Sequence, residues 1–171
     1  AEAYFVGVPT IQDIGWITDG TAYVVGNFST INGSARKNFA KYTVAGGFEA
    51  VSPGFNGADG DTIPPVLSLL VDDNDDIWVY GRFSGSGGNN NRNLWRYRPP
   101  SLVLPTGSFF STGNIGASDS EEVLWAIFLN DGNILTLGTF TSIKGDTTTG
   151  YAIWTDQNNY VSVPYLEPYF P

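Results

Sequence analysis

The chain has no cysteine, no histidine and no methionine. Without Cys there is no disulfide framework, no thiolate metal site and no sulfur nucleophile. Without His the usual general base, the Ser-His-Asp triad and ordinary zinc sites are excluded. Charge is scarce as well. Only 15% of residues are ionisable, against about a quarter in an average domain. Eight basic against 17 acidic side chains give a net charge of −9. Such a chain lacks a basic phosphate-binding footprint, so nucleic acid is not an expected partner. No run of 18 apolar residues occurs, so neither a membrane-spanning helix nor a signal-peptide core is expected. Ala1 is compatible with a removed initiator Met, a cleaved signal peptide or a fragment boundary.

What remains is apolar, aromatic and rich in turn formers. Of 171 residues, 42% are apolar and 15% aromatic, enough for the core of one domain and too aromatic for a disordered tail. Twenty-one Gly and ten Pro interrupt the chain too often for long helices or a coiled coil.

A threefold internal repeat organises the sequence. Its anchor is Gly-x-Phe, at Gly26/Phe28, Gly81/Phe83 and Gly138/Phe140, with the glycines 55 and 57 residues apart. Seven residues beyond each anchor Gly lies another, Gly33, Gly88 or Gly145. Sixteen residues beyond lies an aromatic, Tyr42, Tyr97 or Trp154. A turn pair precedes each anchor, Asp19-Gly20, Asn74-Asp75 or Asp131-Gly132, and predicts a hairpin with φ > 0 at both central residues.

Each unit therefore reads as four short strands. The first covers 14–17, 67–71 or 124–129, and the second 22–28, 77–83 or 134–140. The third covers 38–42, 93–97 or 151–154, and the fourth 48–51, 102–104 or 160–163. Pro53, Pro105 and Pro164 close the units. The second strand is apolar at both alternate sets of positions, for instance Val79 with Gly81 and Trp78 with Tyr80. A strand of that kind is covered on both faces, as in sheets stacked around an axis. The anchor Gly is expected to admit a neighbouring backbone.

The run Tyr23 to Gly33, followed by Asn38-Phe39-Ala40-Lys41-Tyr42, resembles the delta-60 repeat, in which a strand ending in Gly-x-Phe precedes a short polar loop. Residues 137–143 resemble it too, and 44–55 resemble the tail of the unit, without the usual Asp before the last Phe. The second copy departs from the pattern at Ser86-Gly87-Gly88-Asn89-Asn90-Asn91. The resemblance implies propeller blades of the kind found in bacterial surface proteins, with similar units in phage tail proteins. It implies no catalytic residues.

Three places invite a functional reading. Asp72, Asn74 and Asp76 have the alternate spacing of hard oxygen ligands and suggest Ca²⁺, although Ile77 stands where a calcium loop needs Gly. The rival reading is a solvated hairpin turn, and Asp59-Gly60-Asp61 is a weaker case of the same kind. Arg92, Trp95, Arg96, Tyr97 and Arg98 form the one basic-aromatic cluster. Strand alternation puts Arg96 and Arg98 on one face and Trp95 and Tyr97 on the other. Trp95 replaces Ala40 and Ala152 of the sister repeats, so it fills an interface, stacks on a ligand or packs an irregular unit. Asn89-Asn90-Asn91, Thr147-Thr148-Thr149 and 34–37 occupy equivalent loops, which read as variable solvent loops or as a surface suited to sugar hydroxyls. Asn27-Phe28-Ser29 and Asn32-Gly33-Ser34 are formal sequons that arise from the repeat itself. Glu121-Glu122 is an acidic pair whose members point to opposite faces of a strand, which does not suit a glycosidase.

The expectation is an all-β domain over 1–171, with repeats at 1–57, 58–114 and 115–171. It consists of three four-stranded, propeller-like blades, with a β-trefoil or three-fold β-prism as the alternative. Three blades do not close, so self-association through open strand edges, or packing on other virion or surface proteins, is expected. The functional expectation is a non-catalytic assembly module of a virion or cell surface. The alternative is a glycan-binding adhesin. No cofactor is expected apart from the Ca²⁺ suggestion.

Overall fold

The computed structural model describes residues 5–6, 10–31, 34–35, 38–51, 54–56, 65–85, 92–102, 106–118, 120–155 and 159–161. It is all-β, with no helix among the described residues. Three antiparallel meanders carry the fold, one within each repeat span. The first sheet runs Thr10–Trp16, Ala22–Asn27, Phe39–Thr43, Gly47–Ala50. The second runs Val66–Val71, Ile77–Gly85, Arg92–Arg98, Ser108–Ser111. The third runs Val123–Phe128, Ile134–Gly138, Tyr151–Trp154, Tyr160–Val161.

Eleven of these twelve strands overlap their expected spans. The fourth strand of the second sheet does not: it lies at Ser108–Ser111, not at 102–104. Leu102 is fully exposed and outside any strand. Pro99 and Pro100 follow the third strand directly and deny it a tight return. Pro53, Pro105 and Pro164 lie outside the described residues.

The anchor phenylalanine corrects the expected end of the second strand in two repeats. In the third, the strand stops at Gly138, so Phe140 stands beyond it and not within a strand over 134–140. Phe28 likewise follows a strand that stops at Asn27. The reason is the neighbouring third strand. Its ladder ends at the Leu137–Tyr151 and Val25–Phe39 pairs, because Gly150 and Asn38, one residue earlier, have positive φ. Only Phe83 lies inside its strand, which pairing with Phe55–Asn56 extends to Gly85. All three rings are nonetheless buried, at 2%, 1% and 1% exposure. Phe28 packs in a cluster with Ile31 and Ala40, and Phe140 in one with Ile143 and Ala152. The anchor ring is thus a core residue, as the repeat implies, held mostly by the loop after the strand.

The hairpin turns also differ from expectation. Only the second residue of each pair has positive φ, at Gly20 (86°), Asp75 (63°) and Gly132 (81°). Gly20 N–H donates to the Ile17 carbonyl and Ile17 N–H to the Thr21 carbonyl, both at 3.0 Å. That is a turn closed by one left-handed residue, which tolerates Asp or Asn in the position before it.

The anchor glycine behaves as expected in two repeats. A Cβ on Gly26 would stand 2.0 Å from the Thr10 carbonyl oxygen, and one on Gly138 2.0 Å from that of Glu122. In the second repeat Gly81 has φ 142° instead, so it is required by conformation.

Paired strands put their side chains on two faces, and the sheets stack by those faces. Tyr23, Val25 and Phe39 of the first sheet meet Leu69, Val79, Trp95 and Tyr97 of the second. Six rings (Tyr23, Phe39, Phe55, Trp95, Tyr97, Phe109) interlock there, with centroids 4.6 to 6.2 Å apart. The opposite face of the second sheet, with Trp78, Tyr80 and Leu94, meets Ala126, Ile134, Ala152 and Trp154 of the third. Both junctions therefore have the same polarity.

Short pairings outside the four-stranded pattern tie one unit to the next. Phe55–Asn56 leaves the first repeat and pairs with Ser84 and Gly85 of the second sheet. Ile115 leaves the second repeat and bridges to Ile143. Phe5–Val6 pairs in the same way with Thr30–Ile31.

Candidate functional site

The basic-aromatic cluster is divided between the two faces of its strand, as alternation requires. Trp95 is 1% exposed and packs on Phe55 and Phe109 inside the first junction. It is a core residue of this chain, not a surface platform for a ligand. It is large where Ala40 and Ala152 are small because it fills the space between the first two sheets.

Arg96 and Arg98 lie on the other face and converge on Asp76, which is fully buried. Arg96 Nε donates to Asp76 Oδ2 at 2.8 Å, and its Nη2 reaches the same oxygen. Arg98 donates to both carboxylate oxygens at 2.9 Å, which raises its own proton affinity. The Arg96 guanidinium lies 5.2 Å from the centre of the Trp78 ring, within cation–π range.

This arrangement extends to the acidic run. Asp76 is committed to two guanidinium groups. Asp72 Oδ1 accepts the Asn74 and Asp76 amides at 2.9 and 3.0 Å, and its Oδ2 accepts Trp78 Nε1 at 3.0 Å. Asn74 is an exposed turn residue. Asp72 and Asp76 are thus engaged by partners within the chain, as a hairpin turn joined to an ion pair would have them. No metal-holding cluster of acidic groups occurs among the described residues.

Glu121 and Glu122 have separate environments. Glu121 is nearly buried. It accepts the Ser118 and Thr141 amides at 2.9 Å, the Thr141 hydroxyl at 2.5 Å and the Ala117 amide. Burial alone would raise its pKa, but the Thr141 hydroxyl and the three amides outweigh it and hold the carboxyl below its ordinary value. It is an acceptor in a loop knot, with no acid/base partner among the described residues. Asn89, Asn90, Asn91, Gly33, Gly88 and 59–61 lie outside the described residues, as do Asn32 of one sequon and part of loop 34–37. Of the polar loops, Thr147 and Thr149 are exposed and Thr148 is buried, donating to the Tyr151 carbonyl.

Two asparagines escaped the sequence reading. Asn38 and Asn93, each twelve residues past an anchor Gly, hold φ of 67° and 68°. Asn38 Oδ1 accepts the Phe28 amide at 2.9 Å while its Nδ2 donates to the Phe55 carbonyl at 2.6 Å. Asn93 accepts the Phe83 amide and donates to the Ile115 and Glu121 carbonyls. Each pins the anchor loop of its own repeat to the segment leading into the next. Gly150 (φ 86°) holds the same position in the third repeat. The signal was present as three left-handed-tolerant residues at one offset.

A cleft of about 710 Å³ is lined by Arg92, Asn114, Ser142 and Lys144, with Gly113, Gly116, Ala117 and Gly145. No carboxylate of the described residues lines it.

The largest unsatisfied feature is apolar. The outward faces of the first and third sheets are covered only in part: Ala22, Val24 and Ala40 are buried, with Val24 and Ala40 in a cluster with Phe28 and Ile31, and Leu135 is buried, while apolar residues of the first strands stay exposed. On the first, Ile14 is 48% and Trp16 59% exposed, beside Ile11 and half-buried Tyr42 and Phe48. On the third, Trp125 is 68% and Ile127 50% exposed, beside Leu124, Tyr151, Ile153 and Val161. No charged side chain occupies a described strand position of either face. Repeat-equivalent residues are buried at the internal junctions. Ile14 corresponds to Leu69 (6%) and Ala126 (4%), and Tyr42 to Tyr97 and Trp154, both buried. These exposed apolar residues lie on sheet faces.

Comparison of the chain with protein-family models, with curated proteins and with solved structures finds no match.

Proposed function

We propose that this chain is a non-catalytic structural module of a virion or cell surface, built from propeller-like blades, that acts by assembly. One observation carries the reading. Each end of the sheet stack exposes apolar first-strand residues, and at the first sheet the counterparts of Ile14 inside the chain, Leu69 and Ala126, are buried. Contiguous patches of that kind mark protein contact sites. Three stacked sheets fall short of the four to eight that close a propeller, so the stack has two ends to cover. The delta-60 resemblance supports a place on a bacterial surface or a phage tail. The absence of His and Cys, and the lack of a paired acid and base at Glu121 among the described residues, support a role without catalysis.

Glycan binding is the weaker reading. It needs an aromatic platform beside a polar loop, and Trp95 is in the core.

Hydroxyl-radical footprinting of the purified protein tests the assembly role. Trp16 and Trp125 are expected to be protected at high protein concentration and to oxidise several-fold faster on dilution. Full reactivity of both at every concentration would contradict the role.

A further inference from the structure

We infer that the partner for these faces is a second copy of the chain, seated head to tail. The third sheet of each copy covers the first sheet of the other, and two such junctions close a ring of six sheets. This rests on the assembly role proposed above and adds its partner, polarity and register.

The polarity follows from the internal junctions. Counted from the anchor glycines, the second strands supply two sets of facing positions. One set is Tyr23/Val25, Trp78/Tyr80 and Leu135/Leu137. The other is Ala22/Val24, Ile77/Val79 and Ile134/Thr136. Between the first and second sheets, the first set of one meets the second set of the next. The second and third sheets repeat the rule, with Trp78 and Tyr80 against Ile134. The exposed first-strand residues lie on the face that carries the first set of the third sheet (Trp125, Ile127) and on the face that carries the second set of the first sheet (Ile14, Trp16), while Leu135, Ala22 and Val24 of those sets are themselves buried. These two faces are the two halves of one more junction of the same kind. Identical faces meeting each other would break the rule at both ends. A contact between unlike faces closes into a ring or runs on as a filament, and six blades lie within the closing range of propellers.

The register follows from one close approach. A Cβ on Gly15 would stand 2.4 Å from Leu69 Cδ1 and 2.7 Å from Val71 Cγ2. Position 15 therefore points between 69 and 71 of the next sheet. In the second junction the equivalent Leu70 packs into the cluster that holds Ala126 and Phe128. One repeat further, Ile127 takes the place of Gly15, and Ile14 and Trp16 of the second copy take the places of Leu69 and Val71.

The bulge positions agree. The first and third sheets both shift register between their first two strands, at 11–13 and at 123–125. In the first sheet the bulge carries Gln12 and Asp13, which reach across and accept the Leu67 and Leu69 amides at 2.9 and 3.0 Å. In the third sheet the same two positions are Leu124 and Trp125, apolar and exposed. They would reach the apolar strand Thr10–Trp16 of the second copy, which exposes Ile11, Ile14 and Trp16.

The absence of native cysteine makes the contact directly trappable. Ile14→Cys and Ile127→Cys are made singly in the full chain. Both residues are exposed, so neither change disturbs the core. Each variant is oxidised alone and as an equimolar mixture. The expected result is a disulfide-linked pair in the mixture and none in either variant alone. The double variant is expected to stop at a two-chain product. Homodisulfides in a single variant would overturn the polarity, and a ladder from the double variant would overturn ring closure. No 14–127 bridge from a wild-type protein of two-chain mass would overturn the register while leaving assembly standing. A wild-type protein of one-chain mass would instead remove the assembly role itself.

Discussion

At the scale of single residues, stability is concentrated in a few buried polar groups. Asp76 is fully buried between two arginines. Removing one member of a buried ion pair leaves an uncompensated charge, which costs about 3–5 kcal/mol. Asp76→Asn is therefore expected to lose about 3 kcal/mol in urea denaturation, since Arg98 can turn to water and Arg96 cannot. Asn93 separates two effects. Asn93→Gly keeps the left-handed backbone and loses the side-chain bonds. Asn93→Ala loses both, and is expected to be worse by about 1 kcal/mol in the same assay. Glu121 sets an acid limit. Its folded pKa is lowered, so the folded state holds fewer protons than the unfolded chain as the pH falls through the carboxylate range. Its contribution is complete above the unfolded pKa and is lost as the pH drops through the folded one. Glu121→Gln is expected to lower stability by about 2 kcal/mol at neutral pH and to flatten the acid limb of a stability–pH profile. Asp76, Arg96 and Arg98 stand out in the sequence, but in two separate clusters. They lie 20 and 22 residues apart and meet only because adjacent strands of the second sheet pair Ile77 with Tyr97. A pairing register of that kind is not local information.

At the scale of elements, local chemistry was legible wherever it acts alone. The Gly-x-Phe anchors, the turn pairs and the two-sided apolar second strands located three of the four strands in every repeat. Burial of the anchor rings was legible too, but not that Phe28 and Phe140 lie past their strands, since a neighbour's left-handed residue ends the ladder there. The fourth strand was legible only twice. In the second repeat Pro99-Pro100 and the segment after it delay the return to Ser108, and nothing local fixes where pairing resumes. The short pairings of Phe55–Asn56 and Ile115 were invisible for the same reason, because two residues carry no periodicity. The anchor glycine gives the clearest test at this scale. At Gly138 a methyl group would meet the Glu122 carbonyl at 2.0 Å, and backbone there cannot move without breaking the Val123–Gly138 pairing. Gly138→Ala is expected to cost about 3 kcal/mol by overpacking. Gly132→Ala, with open space around it, is expected to cost about 1 kcal/mol from its positive φ alone. Thermal melts of the two variants compare them directly.

At the scale of the whole molecule, three four-stranded meanders were readable and the placing of their exposed residues was not. Three units of nearly equal length announced three sheets. Sequence could show that the second strands were apolar on both sides, but not which side met a neighbour. The face assignment needed the junctions, with Tyr23 and Val25 looking inward and Ile14 and Trp16 looking out. A low charge density makes the exposed apolar residues of the outward faces more consequential, since only 15% of residues are ionisable and none of those charges lies on a described strand position of either face. The central claim is that the stack is completed by a second copy, and absolute mass by light scattering across a dilution series tests it most directly. The expected result is a species of twice the 18.5 kDa chain mass that gives way to single chains only on dilution. A folded protein of one-chain mass at every concentration would contradict it.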